Sequence, residues 1–314
     1  MQVSNFKAQQ KAFLAIALIF MVAVPALSFG KSDVIYVDDS AKGEETGSRK
    51  NPYKKISKAL DKAEKGDEVR IMKGEYKENI TIPSNVKVTS DSNDRDKVTI
   101  KSKNNDKPTV TMKQGTKISA VTIRDGFHGI RVNEDSKAHI DNVTIKGAKR
   151  DGIHADKAKR DDSKRLLIDD VYISKSGMAG IYSDGRMITI IDSVVDSNGL
   201  DGIDLRGANK AWIENTKARW NGASGLKAVI DGSGIWAKNS SFRYNKQAGV
   251  EAISFGGGGA FGVNKGSIVG NAQYGIAKVQ KAGTFKGLEI GSETNAIRFE
   301  ANSKGNVSPI LTSF

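Results

Sequence analysis

Cysteine is absent from the 314 residues. No disulfide, thiol nucleophile or cysteine metal site can form, so stability has to come from packing and backbone ladders. Proline is scarce, at 5 residues, and aromatic residues make up 7%, low for a compact globule. After Val24 no apolar run approaches the length of a membrane span. No nucleic-acid-binding motif is visible.

Glycine, with 33 residues, and positive charge, with 49 Lys and Arg against 36 Asp and Glu, are what the chain has in quantity. Abundant glycine suits many short strands joined by tight turns. The first 28 residues read as a signal peptide: Lys7 and Lys11, then the 13-residue apolar run Ala12–Val24, then Pro25 and the small residues of Ala26-Leu27-Ser28. The expected product is one domain, residues 29–314, secreted or at the cell surface, monomeric and without a membrane span. Without Lys7 and Lys11 it carries 47 basic and 36 acidic residues, about +11. Such a field attracts polyanions, and for an exported protein an acidic polysaccharide is the first candidate.

Residues 33–37 (DVIYV) read as a strand and 38–51 as a loop. Over 52–65, Ile56, Ala59, Leu60 and Ala63 recur at helical spacing behind Pro52, and Gly66-Asp67 ends the segment. From Val69 the pattern turns to short alternating runs (VRIM, NITI, VKVT, VTIK, TVTM). One amphipathic helix followed only by strands predicts a helix closing the open end of a solenoid, which would otherwise expose core and unpaired backbone.

An internal repeat defines the solenoid. Segments 142–156, 170–184, 192–206, 215–229, 239–253 and 265–279 align on a Gly followed by an aliphatic residue, with a degenerate copy at 286–300 centred on Ala296-Ile297. Clear coils are expected over about 118–300, spaced by 28, 22, 23, 24, 26 and 21 residues. Helical repeats need roughly 33 residues or more per unit, and the Leu pattern of leucine-rich repeats is missing. A period in the low twenties with β-branched residues predicts an all-β fold: a right-handed parallel β-helix with an N-terminal capping helix. The column after the Gly (Ile130, Ile153, Ile181, Ile203, Leu226, Val250, Ile276, Ile297) should point inward. Four residues before the Gly stand Ser176, Asn198, Asn221, Asn245 and Asn271, read as a structural ladder of stacked asparagines.

Tyr36-Val37-Asp38, Pro52-Tyr53, Ile56, Ala59, Ala63, Gly66-Asp67, Val69, Gly74, Tyr76, Glu78 and Ile80 together resemble the N-terminal stretch of secreted pectate-lyase-like β-helix proteins. With the repeats, the resemblance spans nearly the whole mature chain. It implies the fold and a superfamily of polysaccharide lyases, polygalacturonases, alginate epimerases and non-catalytic surface proteins. One scaffold hosts all of these, so it does not imply a single activity.

Candidate chemistry follows from the columns that face outward. After the inward aliphatic come Arg131, His154, Tyr182, Asp204, Lys227, Glu251, Ala277 and Arg298; two places on are Asn133, Asp156, Asp184, Arg206, Val229 and Ile253; beside the Gly are His128, Asp151, Ala179, Asp201, Ser224 and Ala248. One face therefore collects charge over about five coils. Lyase-like β-elimination on a uronate polymer is favoured because the protein is basic. Asp184, Asp201 and Asp204 are the candidate Ca2+ ligands, Ca2+ being the one cofactor this chemistry calls for. Lys227 or Arg206 is the candidate base, and a lysine base must first give up its proton. Asp151, Asp156, Tyr182 and Glu251 are candidate substrate contacts. Lys157 and Arg160 join them from a basic insertion, Lys146 to Arg165, that holds eight basic and four acidic residues and is expected as a protruding loop, either clamping a polyanion or simply solvated. Epimerisation could use His154 with Tyr182 as an acid–base pair, but no Asp-Pro-His element is present. Asp201-Gly202-Ile203-Asp204 resembles part of a polygalacturonase motif, in which Asp201 would match a catalytic aspartate. The next coil offers Ser224-Gly225 where paired aspartates belong, and no Gly-His-Gly occurs. Phe255 and Phe261 of the 254–262 excursion read as packing against the side of the solenoid, with sugar stacking as the alternative; Trp212, Trp220 and Trp236, at different places in consecutive coils, are candidate sugar-stacking residues. The competing class is a non-catalytic cell-surface or adhesive rod. In that reading Asp204, Lys227 and Glu251 are an exposed charge ladder worth a few tenths of a kcal/mol per pair.

Overall fold

Short β-branched runs bend into coils because single residues between them take up the left-handed backbone region. In one coil, strand Lys210–Glu214 is followed by Asn215 (φ 49°), strand Lys217–Arg219, Trp220 (φ 53°), an arch over 221–225 and strand Leu226–Val229. A computed structural model describes residues 33–290 and 296–313; the expected signal peptide lies outside the described residues. Repetition of the coil gives a parallel β-helix with three faces. The first two faces belong to one 16-stranded sheet, because strands such as Thr116–Arg124 and Ala138–Lys146 run through the corner between them, and a 10-stranded sheet forms the third.

The interior is filled by stacked aliphatic columns. Ile130, Ile153, Ile181, Ile203, Leu226, Val250 and Ile276 pair one coil to the next on the third face, all with 0% exposure. The expected final member differs. Ile276 pairs with Val307, whereas Ile297 and Arg298 run along the second face, where Arg298 pairs with Ser267. The last coil is longer than the repeat suggested, and its own asparagine, Asn302, keeps the ladder going: Asn271 Nδ2 donates to Asn302 Oδ1 at 2.9 Å. The aligned glycines are required by close approach. A Cβ on Gly225 would lie 2.7 Å from the Gly249 carbonyl oxygen and 2.8 Å from Asn245 Nδ2.

The helix α1 (Ile56–Lys62) is shorter than the 52–65 periodicity suggested. Tyr53 is drawn into pairing instead, its N–H donating to Tyr36 O and its carbonyl accepting from Asp38 N. The Glu78 carboxylate caps the helix start, accepting from Ile56 N at 2.8 Å and Ser57 N at 3.0 Å. Ile56, Ala59 and Leu60 are buried against the first coil, so α1 covers the N-terminal end of the core. Among the described residues no helix is long and apolar enough to cross a membrane.

The two phenylalanines of the excursion divide, and the tryptophan and insertion expectations change. Phe261 is fully buried in the core, while Phe255 is exposed. Trp212 and Trp236 are not at different places: they are register partners on the first face. Trp220 instead stacks on Tyr244 at the exposed corner between the second and third faces, with ring centroids 6.1 Å apart. The basic insertion does not protrude freely. Residues 156–165 form a strap in which Arg160 donates to Gly232 O at 2.6 Å, 72 residues on.

Candidate active site

The outward column of the third face is as the repeat predicted. Arg131, His154, Tyr182, Asp204, Lys227, Glu251 and Ala277 are register partners in consecutive coils. Beside it runs the arch column. Asp151 Oδ1 accepts from Ala179 N at 3.1 Å, and Asp201 Oδ1 accepts from Ser224 N at 2.9 Å. Each aspartate is thus fixed by the backbone of the following coil, and its other oxygen is left for the face.

Downstream, three carboxylates converge. Asp201, Asp204 and Glu251 are 4%, 5% and 3% exposed, unusual for acids on the outside of a sheet. Asp204 Oδ2 accepts from Arg206 Nε at 3.0 Å, and its Oδ1 is buried without a partner. Glu251 Oε2 accepts from Ser224 Oγ at 3.1 Å, and Oε1 lies 3.5 Å from Lys227 Nζ. Burial pushes the Asp201 carboxyl up to about 6, against the opposing pull of Lys227 and the Ser224 N–H. Burial likewise raises Asp204, opposed by Arg206, and Glu251, opposed by Lys227.

Upstream, the arrangement is different. Asp151 Oδ2 lies 2.9 Å from His154 Nδ1 and 3.3 Å from His128 Nδ1. Burial alone would raise Asp151, but the two imidazoles hold it down at about 2. Burial lowers His128, with Asp151 opposing. His154 Nε2 faces Asp156 Oδ1 at 3.3 Å, and Asp156 is held in turn by Arg131 Nε at 2.9 Å. The His154 ring stacks on Tyr182 at 4.7 Å, nearly parallel, so the two present edges to solvent and not to each other.

A cleft of about 220 Å3 joins the halves, with Met178 and Leu200 on its apolar wall and Asp151, His154, Tyr182, Asp201, Asp204 and Arg206 on its polar one. Lys227 and Glu251 adjoin it through Asp204 and Ser224. An open depression of about 550 Å3 beside it is lined by Arg131, Asp156 and Lys157. Two of the expected residues stand elsewhere. Asp184 lies against Gly207 at the turn toward the first face and does not line the cleft, so it does not complete a cation cage with Asp201 and Asp204. Arg160 is committed to the Gly232 carbonyl and pins the strap. Three further residues contribute without an evident signal in the sequence. His128 and Ser224 share the arch column with Asp151 and Asp201, whose charge draws attention, but also with Ala179 and Ala248. Arg186, a lone arginine in a turn, is 0% exposed and donates to the carbonyls of Asp156 (2.8 Å), Lys164 (3.2 Å) and Ser136.

Fold and site together define a parallel β-helix with a carboxylate-lined cleft on its third face. The chain belongs to the family described as "Right handed beta helix region", which matches residues 128–307. Similar solved structures include the pectate lyase Pel9A, at TM-score 0.63 and 15% identity over 91% of this chain and 80% of that one. The Dettilon tailspike protein is similar at TM-score 0.55 and 15% identity over 88% of this chain, which spans 62% of the tailspike chain. At these identities the likeness concerns the fold. No curated protein matches the sequence.

Proposed function

We propose that the chain is an exported protein whose third-face cleft binds an acidic, uronate-type polysaccharide and cleaves it by β-elimination. The observation that carries this reading is the convergence of buried Asp201, Asp204 and Glu251 beside Lys227 and Arg206. A rod that merely displays charge would space its acids evenly on a flat, solvated face. A fold shared with a pectate lyase and a net charge of +13 that draws polyanions are consistent with it.

Arg206, more than half exposed beyond its bond to Asp204, is placed to take the uronate carboxylate. Lys227, once deprotonated, removes the proton from the carbon next to that carboxylate. The electron pair forms a C=C bond and the neighbouring C–O glycosidic bond breaks. Asp201, raised to about 6, gives its proton to the departing oxygen. With Ca2+ present, Asp204 Oδ1, buried and unpartnered, and an ionised Asp201 would hold it and it would neutralise uronate charge; in that state the departing oxygen would take its proton from solvent and not from Asp201.

The test is ultraviolet absorbance of unsaturated product from a panel of uronate polymers, with and without Ca2+. Product is expected, with Asp201→Asn and Lys227→Ala each reducing its rate by about 100-fold or more. Salt-sensitive binding without product would replace this reading with the non-catalytic surface protein. Neither product nor binding would end both.

A further inference from the structure

We propose that His128, Asp151 and His154 form a three-ligand site for a divalent transition metal at the upstream end of the cleft, with Asp156 as its outer carboxylate. The site does not rest on the reaction proposed above, and its donor set differs in kind from the oxygen ligands that Ca2+ takes.

The ligand atoms already converge. His154 Nδ1 and His128 Nδ1 lie 2.9 Å and 3.3 Å from the same oxygen, Asp151 Oδ2, and all three residues offer atoms within 4.8 Å of one another. Ligands held about 2.0–2.2 Å from a tetrahedral ion stand roughly 3.3–3.6 Å apart, so the His128 edge fits and the His154 edge opens by about half an ångström.

Proton bookkeeping at His154 points the same way. A neutral imidazole carries one N–H. His154 has a carboxylate at each ring nitrogen, Asp151 at Nδ1 and Asp156 at Nε2, so without an added charge one nitrogen turns its lone pair on a carboxylate. A metal at Nδ1 resolves this: Nε2–H donates to Asp156, the usual outer partner of a metal-bound histidine. Asp156 is itself fixed, by Arg131 at its carboxylate and by Arg186 at its carbonyl.

His128 supplies the independent observation. Its side chain is 8% exposed, and its Nδ1, aimed at the same oxygen, is buried without a hydrogen-bond partner. A buried polar atom in that state is costly, and a metal bond would satisfy it. The ligands are also preorganised. Asp151 Oδ1 is tied to Ala179 N, and Phe127, His128, His154 and Tyr182 form a continuous file of ring contacts, 4.3–4.9 Å between centroids. Two imidazoles and one carboxylate favour Zn2+ and its neighbours over Ca2+ or Mg2+. Three protein ligands leave a fourth position for water or a substrate oxygen.

The chain has only three histidines, which makes the test direct. Protein purified without a histidine tag and stripped with chelator is titrated with Zn2+ by calorimetry and with Co2+ by visible absorption, in the absence of polysaccharide. One equivalent should bind. His154→Gln and Asp151→Asn should abolish stoichiometric binding, and Asp156→Asn should weaken it by about 10–100-fold. His139→Gln should leave it unchanged, although His139 has its own carboxylate neighbours in Asp141 and Asp169. Because a ligand variant could misfold, nitrogen NMR of the three wild-type imidazoles is the second readout: Zn2+ should shift His128 and His154 and leave His139 in place. Absence of one-to-one binding, or shifts confined to His139, would overturn the site.

Discussion

Asp151 and Asp201 occupy the same arch column, and each accepts a backbone N–H from the next coil. Their carboxyls are nonetheless driven apart, to about 2 and about 6. The difference is the company: two imidazoles touch Asp151, whereas Asp201 has burial and a more distant lysine. Because Asp201 is raised above its ordinary 3.8, its contribution to stability is whole below about pH 4 and is lost as pH rises through about 6, roughly 3 kcal/mol in all. Asp204 and Glu251 act in the same direction. Asn at position 201 keeps the acceptor for Ser224 N and cannot ionise. Asp201→Asn should therefore gain stability relative to wild type between pH 4 and 7, read from urea midpoints at each pH. Parallel pH profiles for the two proteins would remove the claim that burial controls Asp201. At this scale the sequence was informative where the period held. Asp204, Lys227 and Glu251 share one offset from the Gly, and a fixed offset in stacked coils means a shared ladder. Arg160 lies in a connection, whose length varies from coil to coil, so offset does not give its position; Asp184 keeps its register, opposite Arg206, but at the strand end away from the cleft.

The coil owes its regularity to buried amides as much as to aliphatic packing. Asn221 is 0% exposed; its Oδ1 accepts from Asn198 N and Nδ2 at 3.1 and 3.0 Å, and its Nδ2 donates to Asn245 Oδ1 at 3.0 Å. Asn221→Ala would strand the amide and backbone N–H of Asn198 in a dry site, costing about 2–4 kcal/mol. Urea denaturation should show that loss with an unchanged m-value. A change below 1 kcal/mol would mean that water replaces the amide and the ladder is not a stabilising element. The ladder and the aliphatic columns were legible because each recurs in coil after coil. The ends of the solenoid were not, because an end has no neighbour to repeat. Pro52 marks a helix start by sequence, but Tyr53 beside it forms a parallel bridge with Val37. In the final coil Ala296-Ile297 matches the Gly-aliphatic pattern, yet the register runs to Val307, and Asn302 continues the ladder.

Across the whole molecule, a solenoid holds each coil mainly to its neighbours, and this one has no disulfide to tie distant coils together. Arg186 and the strap supply such a tie. The arginine reaches the carbonyls of Ser136, Asp156 and Lys164, and Arg160 carries the strap on to Gly232. Burial lowers the Arg186 guanidinium to about 10, so it remains charged at neutral pH and its fork of donors is what matters. Arg186→Met fills similar volume but leaves three carbonyls without their donor, a loss of about 3 kcal/mol. The strap, basic at Lys157, Lys159, Arg160, Lys164 and Arg165, should then be cut by trypsin well before the rest of the chain. Arg186→Lys keeps the charge without the fork and should fall between the two. Because Asp156 hangs from the same arginine, release of the strap should also loosen the carboxylate behind His154, so strap cleavage and weakened Zn2+ binding should appear together in Arg186→Met. Early cleavage with wild-type metal binding would show that Arg131 alone positions Asp156, and a wild-type digestion pattern would show that the strap is held by Arg160 and not by Arg186.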